Sequence, residues 1–229
     1  MDLYQYYSDP EQLNRYAEAD QIVPARIYAK AETGADLTPK QINALAKDAE
    51  YAYDYAHNIL RRPFPAGEDA ISKNAEYAYY YAYNVLNGIF PKGEAAISKD
   101  AWRAYNYARN ALKRPFPAGE DAISKDAGNA YSYSYYVLKS PFPEGEDAIS
   151  KDAEYAYNYA RRVINGPWPK GEDTIAKDAR YAYQYAYYIL DYPFPAGEDA
   201  ISTDAGYAYR YALHVLKLPM IQADQWKAK

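Results

Sequence analysis

Residues 48–73 read Asp48-Ala-Glu-Tyr-Ala-Tyr-Asp-Tyr-Ala-His-Asn-Ile-Leu-Arg-Arg-Pro-Phe-Pro-Ala-Gly-Glu-Asp-Ala-Ile-Ser-Lys73, and from residue 74 nearly the same text begins again. The starts are Asp48, Asn74, Asp100, Asp126, Asp152, Asp178 and Asp204, each followed by Ala, at a constant step of 26 residues (74 − 48). Six copies are complete and a seventh lacks its second half. A fixed period of this length marks a repeat architecture. Each unit buries its apolar face only by stacking on its neighbours.

Let the Asp or Asn be position 0 of its copy. Positions 1, 4, 5, 8, 11 and 12 carry chiefly Ala, Ala, Tyr, Ala, Val or Ile, and Leu. That spacing predicts one apolar face of a helix. The residue at position 0 is a helix N-cap, whose side-chain oxygen takes a free backbone N–H of the first turn. Asn74 stands in for Asp in one copy, so the hydrogen bond matters more than the charge. The helix is expected to stop before Pro63, Pro115, Pro141, Pro167, Pro193 and Pro219, because the residue before proline disfavours helical backbone. Pro-aromatic-Pro then predicts a stiff extended link. Gly-Glu-Asp-Ala-Ile-Ser-Lys predicts a second, short helix with an acidic first turn that suits the helix dipole.

The expected fold is therefore all-α, an α-solenoid of seven helix-pair repeats, each a short helix plus a long one. The repeats span residues 38–218. Residues 1–37 lack the period and are expected to form an N-terminal helical cap, and residues 219–229 a C-terminal cap or tail. Ser8 and Glu11 have capping-box spacing. Thr38-Pro39 opens the first short helix, which is expected to end at Lys47.

The composition excludes much chemistry. There is no Cys, so no disulfide framework and no thiol site. Two His, His57 and His214, stand in the first and seventh copies and offer no multi-His metal cage. No phosphate-binding loop, dinucleotide fingerprint, nucleophile elbow or His-Glu-x-x-His motif occurs. Acidic pairs in the short helices recur from copy to copy, which suits structure better than catalysis. No enzyme activity, catalytic residue, cofactor or metal is expected. The longest apolar runs fall short of a membrane span. Met1–Pro10 lacks an apolar signal core, so a cytoplasmic protein is expected. The formal net charge of −5 gives no blanket attraction to nucleic acid.

Tyrosine is the compositional oddity: 31 Tyr against five Phe. Positions 5 and 7 are Tyr in all seven copies, Tyr53 and Tyr55 in the first and Tyr209 and Tyr211 in the last. At 100° per residue they flank the Ala-rich stripe on opposite sides. They are read as a ladder bridging adjacent repeats, with a ligand-stacking ladder as the alternative.

Positions 2, 6, 9 and 13 form the opposite face, and they vary. A constant frame with a varied face suits partner binding, with drift on a solvated surface as the plain alternative. Exposed Tyr, Trp and Arg are the residue types that anchor interfaces. The candidate partner-binding residues are Tyr80, Tyr83, Trp102, Arg109, Tyr135, Tyr136, Arg161, Arg162, Tyr187 and Tyr188. Basic residues gather near the long-helix ends, among them Arg61, Arg62, Lys113, Arg114, Lys139 and Lys217. They serve either dipole complementation or, interleaved with aromatics, the binding of RNA, single-stranded DNA or a nucleotide.

The pairing of Pro-Phe-Pro-Ala-Gly-Glu-Asp-Ala-Ile with Tyr-Ala-Tyr-x-Tyr-Ala resembles a class of tandem helical repeats in uncharacterised proteins of large tailed phages and giant DNA viruses. In those, the link often carries Trp, as Pro167-Trp168-Pro169-Lys170-Gly171-Glu172 does here. The likeness covers residues 38–219. It implies a viral accessory protein that engages, and inhibits, a host factor such as a defence component in the infected cell's cytoplasm. It carries no functional residues across. The expected partner is a host or viral protein. RNA, single-stranded DNA or a nucleotide signal is the alternative, and self-association through exposed tyrosines the second. No membrane partner is expected.

Overall fold

The computed structural model describes residues 23–226. It is an all-α solenoid in which a short and a long helix recur at the 26-residue step, with no strand among the described residues. The Ser8–Glu11 spacing lies outside the described residues, as does most of the expected N-terminal cap. The cap's described helix is Pro24–Glu32, and Met220–Trp226 follows the last repeat. The described residues fall into two compact units divided within the third repeat. The first takes in the chain up to Arg103 and Asn110–Leu112, the second Ala104–Arg109 and the chain from Lys113 on.

The long helices start as the sequence expects. Asp48, Asp152, Asp178 and Asp204 each accept from the backbone N–H groups of positions 2 and 3. Asn74 does the same at 2.9 and 3.2 Å, so the cap needs only the oxygen. The first short helix, Pro39–Leu45, opens on a reciprocal Thr38–Gln41 capping box.

Their ends differ from the expectation. In copies one to six the helix widens into a π-helical turn, such as Tyr55–Leu60 or Ser134–Leu138. It then closes on a left-handed residue at position 13, two residues before the proline position. These residues are Arg61, Asn87, Lys113, Lys139, Asn165 and Asp191, and Lys217 in copy seven has the same backbone, with φ between 47° and 57°. The N–H of position 14 returns to the carbonyl of position 8, for example Gly88 to Ala82 at 3.0 Å and Gly166 to Ala160 at 3.1 Å. This closure satisfies carbonyls that a bare helix end would orphan. The wider turn also rotates the last residues off the apolar stripe. Positions 11 and 12, expected in the core, are mostly half-buried, and so is position 1.

The core is instead built from both helices. The position 4 Ala residues are fully buried, as are position 8 Ala, or Ser134 in one copy, and Ile71 with its equivalents on the short helices. The short helix starts earlier than expected. The second proline of the link is the first residue of a 3-10 turn, Pro65–Gly67, that runs into Glu68–Ile71. Glycine at position 19 permits a close approach: a Cβ on Gly145 would lie 2.6 Å from the Phe142 ring and 2.7 Å from the Ala130 Cβ.

The position 7 tyrosines join the copies. Tyr133 sits edge-on to its own repeat's Phe142, ring centroids 5.3 Å apart. Its hydroxyl reaches back one repeat, accepting from the Phe116 N–H at 2.8 Å and donating to Glu120 Oε1 at 2.7 Å. Tyr81, Tyr159, Tyr185 and Tyr211 repeat both bonds with the aromatic and Glu of the preceding link. Each rung satisfies a buried N–H in a segment with no other partner in regular structure. Burial pushes the Tyr81 phenol up to about 12, the Phe64 N–H working against it and the Glu68 carboxylate adding to it. Position 5 faces the other way. Its rings meet the position 3 tyrosine of the following repeat, Tyr53 with Tyr77 at 5.9 Å and Tyr131 with Tyr155 at 6.0 Å. After the seventh copy, Trp226 packs on Tyr211 at 5.3 Å, where earlier copies offer their link aromatic.

Candidate partner-binding face

The ten residues singled out by sequence fall into two groups, one in each unit. In the first unit Tyr80, Tyr83 and Trp102 surround the buried Tyr79. Tyr83 stacks on it at 6.0 Å and 6°, Trp102 meets it edge-on at 5.5 Å, and Tyr80 lies at 5.3 Å. Tyr83 and Trp102 keep 48% and 46% of their surface exposed. The Arg103 guanidinium lies 5.9 Å from the Trp102 ring centroid, a looser approach than those of Arg109 and Arg161 in the second unit.

In the second unit the other seven candidates form one line. Position 9 of each repeat meets position 10 of the next. The Arg109 guanidinium lies 4.1 Å from the Tyr136 ring centroid, and Arg161 lies 4.4 Å from that of Tyr188. Between them the order inverts: Tyr135 faces Arg162 at 5.9 Å. Tyr187 meets His214 at 5.8 Å. Within repeats, Tyr135 and Tyr136 meet edge-on at 4.8 Å, as do Tyr187 and Tyr188. The line therefore runs Arg109, Tyr136, Tyr135, Arg162, then Arg161, Tyr188, Tyr187, His214.

The guanidinium groups are held by hydrogen bonds as well. Arg109 donates to the Tyr105 hydroxyl and Arg161 to the Tyr157 hydroxyl, both at 2.8 Å, one helical turn away. The Arg162 charge acts on the Tyr131 hydroxyl of the preceding repeat. Burial raises the phenols of Tyr131 and Tyr157, and the neighbouring guanidinium charges pull them back. Both guanidinium groups stay at an exposed surface.

Three grooves open between successive long helices along this line. The first, of about 260 Å³, is lined by Arg109, Lys113, Tyr136 and Lys139. The second, of about 410 Å³, is lined by Tyr135, Tyr136, Lys139, Ser140 and Arg162. The third, of about 190 Å³, is lined by Arg161, Asn165 and Tyr188. Tyr136 and Lys139 form the ridge shared by the first two. A further groove, of about 480 Å³, lies among the short helices of the first unit. Its lining is alanine with Lys, Asp and Asn, and no aromatic ring.

Sequence reasoning placed the varied face on positions 2, 6, 9 and 13 and did not recognise position 10 as a column. That column reads Asn58, Asn84, Asn110, Tyr136, Arg162, Tyr188, His214. Its switch from Asn to Tyr and Arg halfway along was a visible signal. Lys113 and Lys139, at position 13, belong to the varied face the sequence already offered, whereas Ser140 and His214 join it through the helix closure and the one-repeat offset.

Fold and face together define a tandem helical-repeat scaffold. No protein-family model, no curated protein and no solved structure matches the chain. Among the described residues no helix is long and apolar enough to cross a membrane. No group of three or more His, Asp or Glu among them is arranged to hold a metal ion.

Proposed function

We propose that this chain is a non-enzymatic repeat scaffold that holds a macromolecular partner on the position 9 and 10 face of its second unit. The supporting observation is the unbroken Arg–Tyr line from Arg109 to Tyr188. Its arginines are held by ring stacking and by phenol hydrogen bonds before any partner arrives. A side chain ordered in advance loses less entropy on binding, and Tyr and Arg dominate binding hot spots. The first unit's Tyr83–Trp102 cluster, with Arg103 over the Trp102 ring, is a smaller extension of the same function.

The resemblance to phage and giant-virus repeat proteins makes this a viral accessory protein, working in the infected cell's cytoplasm and obstructing a host factor such as a defence component. The test is affinity purification from host cells, comparing the natural chain with one carrying Tyr136→Ser, Arg109→Ser, Arg161→Ser and Arg162→Ser. A partner retained by the natural chain and lost by the folded variant is the expected result. If the variant keeps every partner, the face is wrongly placed.

A further inference from the structure

We infer that the partner on this face is single-stranded nucleic acid, held by the three inter-helix grooves of the second unit. The inference rests on the proposed binding face and names what it binds.

Three observations carry it. First, the local charge is one-sided. Positions 9, 10, 13 and 14 of repeats three to six hold six cations, Arg109, Lys113, Arg114, Lys139, Arg161 and Arg162, against one carboxylate, Asp191, although the whole chain is acidic. Secondly, the site recurs. Each groove joins at least one arginine to a tyrosine ring, at a step of one repeat. Neighbouring helices pack about 8–10 Å apart, so the site suits a ligand that presents an anion again and again. Thirdly, the rings are available. Tyr136, Tyr187 and Tyr188 are 45%, 39% and 54% exposed. Cations alone would serve an acidic peptide equally well. Cations alternating with exposed rings match phosphates alternating with bases, which stack on aromatic side chains whatever their sequence.

The experiment is fluorescence anisotropy with a labelled oligouridylate and, separately, a labelled oligothymidylate, from about 50 to 200 mM salt. The expected result is binding that falls with a log–log slope of about −3.5 to −4.2, from roughly 0.7 per neutralised phosphate contact over five or six cations. Preference for one oligomer identifies the strand as RNA or DNA. Two variants separate the contributions, each checked for native circular dichroism and melting temperature. R109Q/K139Q/R162Q should flatten the slope and weaken binding by at least about a hundredfold. Y136L/Y188L keeps the charge and the bulk and should weaken it roughly tenfold by removing stacking.

Binding that is indifferent to Y136L/Y188L, or no binding at the lowest salt, overturns the inference. So does polyglutamate competing as well as the oligonucleotide. In any of these cases a host protein lost with R109Q/K139Q/R162Q leaves the scaffold reading standing with a protein partner. Loss of neither ends both.

Discussion

In the first unit position 10 is an amide lock. Asn58, Asn84 and Asn110 donate to the hydroxyls of Tyr28, Tyr53 and Tyr79 in the preceding element, at 3.0, 2.8 and 3.2 Å. In the second unit the same column holds Tyr136, Arg162, Tyr188 and His214, and each meets the position 9 residue of the preceding repeat. Arg162 still acts on the corresponding phenol, Tyr131, but through its charge. The helix frame around the column is the same in both units. An Asn that satisfies a neighbour's hydroxyl stitches repeats together at the surface. A Tyr or Arg in its place extends beyond the stitch and offers a ring or a cation to another molecule. One position thus serves cohesion in one half of the array and, under the proposed function, recognition in the other.

The largest expected effects test whether the frame is truly common. Tyr133→Phe in the second unit removes two bonds and leaves the buried Phe116 N–H without its partner. One of those bonds is to a carboxylate, so the loss should be about 2–4 kcal/mol, read by urea unfolding. Tyr81→Phe in the first unit loses the matching pair and should cost the same. A difference of more than about 1.5 kcal/mol between them would mean that the units are not held by one mechanism. Gly145→Ala forces a methyl against Phe142 and Ala130 and should cost about 1–3 kcal/mol.

The ladder also sets an alkaline limit. Tyr81 is held at about 12, and Tyr133, Tyr159, Tyr185 and Tyr211 are raised above the ordinary value of 10.0 by burial. A raised folded value means that the folded chain binds the proton more tightly. Stability is therefore whole below about pH 10 and is lost as pH climbs from there through the folded values. Each rung removes about 1.4 kcal/mol per pH unit in that window. Absorbance of tyrosinate should show the ladder tyrosines titrating only as circular dichroism collapses. Ladder tyrosines that titrate in a still-folded protein would contradict the geometry.

Much of this was legible in the sequence. The period gives the stacking, position 0 the caps, and the two Tyr columns at 200° from one another give rungs that look back and forward along the array. Tyr80, Tyr83 and Trp102 were recognisable as surface aromatics from their column alone. The π-helical turn was not, because no residue type demands an i to i+5 bond and the apolar pattern at positions 11 and 12 fits an ordinary turn equally well. Lys113 and Lys139 at position 13 were still legible as part of the varied face, whereas Ser140 at position 14 was not. The position 10 seam was missed for a related reason. Its partners lie about 27 residues back, a relation between copies that a single helical wheel does not contain.

The smallest effects bear on the comparison most directly. Asn84→Ala should cost about 1 kcal/mol, since it removes one hydrogen bond at an exposed position. It should leave partner binding unchanged. Tyr136→Asn places the first unit's residue in the second unit's column. It removes an exposed cation–ring contact, so its stability cost should not exceed about 0.5–1 kcal/mol. Its binding loss should nevertheless be the larger of the two, because a ring and the seat of Arg109 go together. The pair is a crossed test in which one substitution weakens the fold and spares binding, and the other does the reverse. Measured by unfolding and by partner affinity on the same preparations, a parallel response in both would erase the division of labour along position 10. The crossed response would locate recognition in the second unit at the resolution of one side chain.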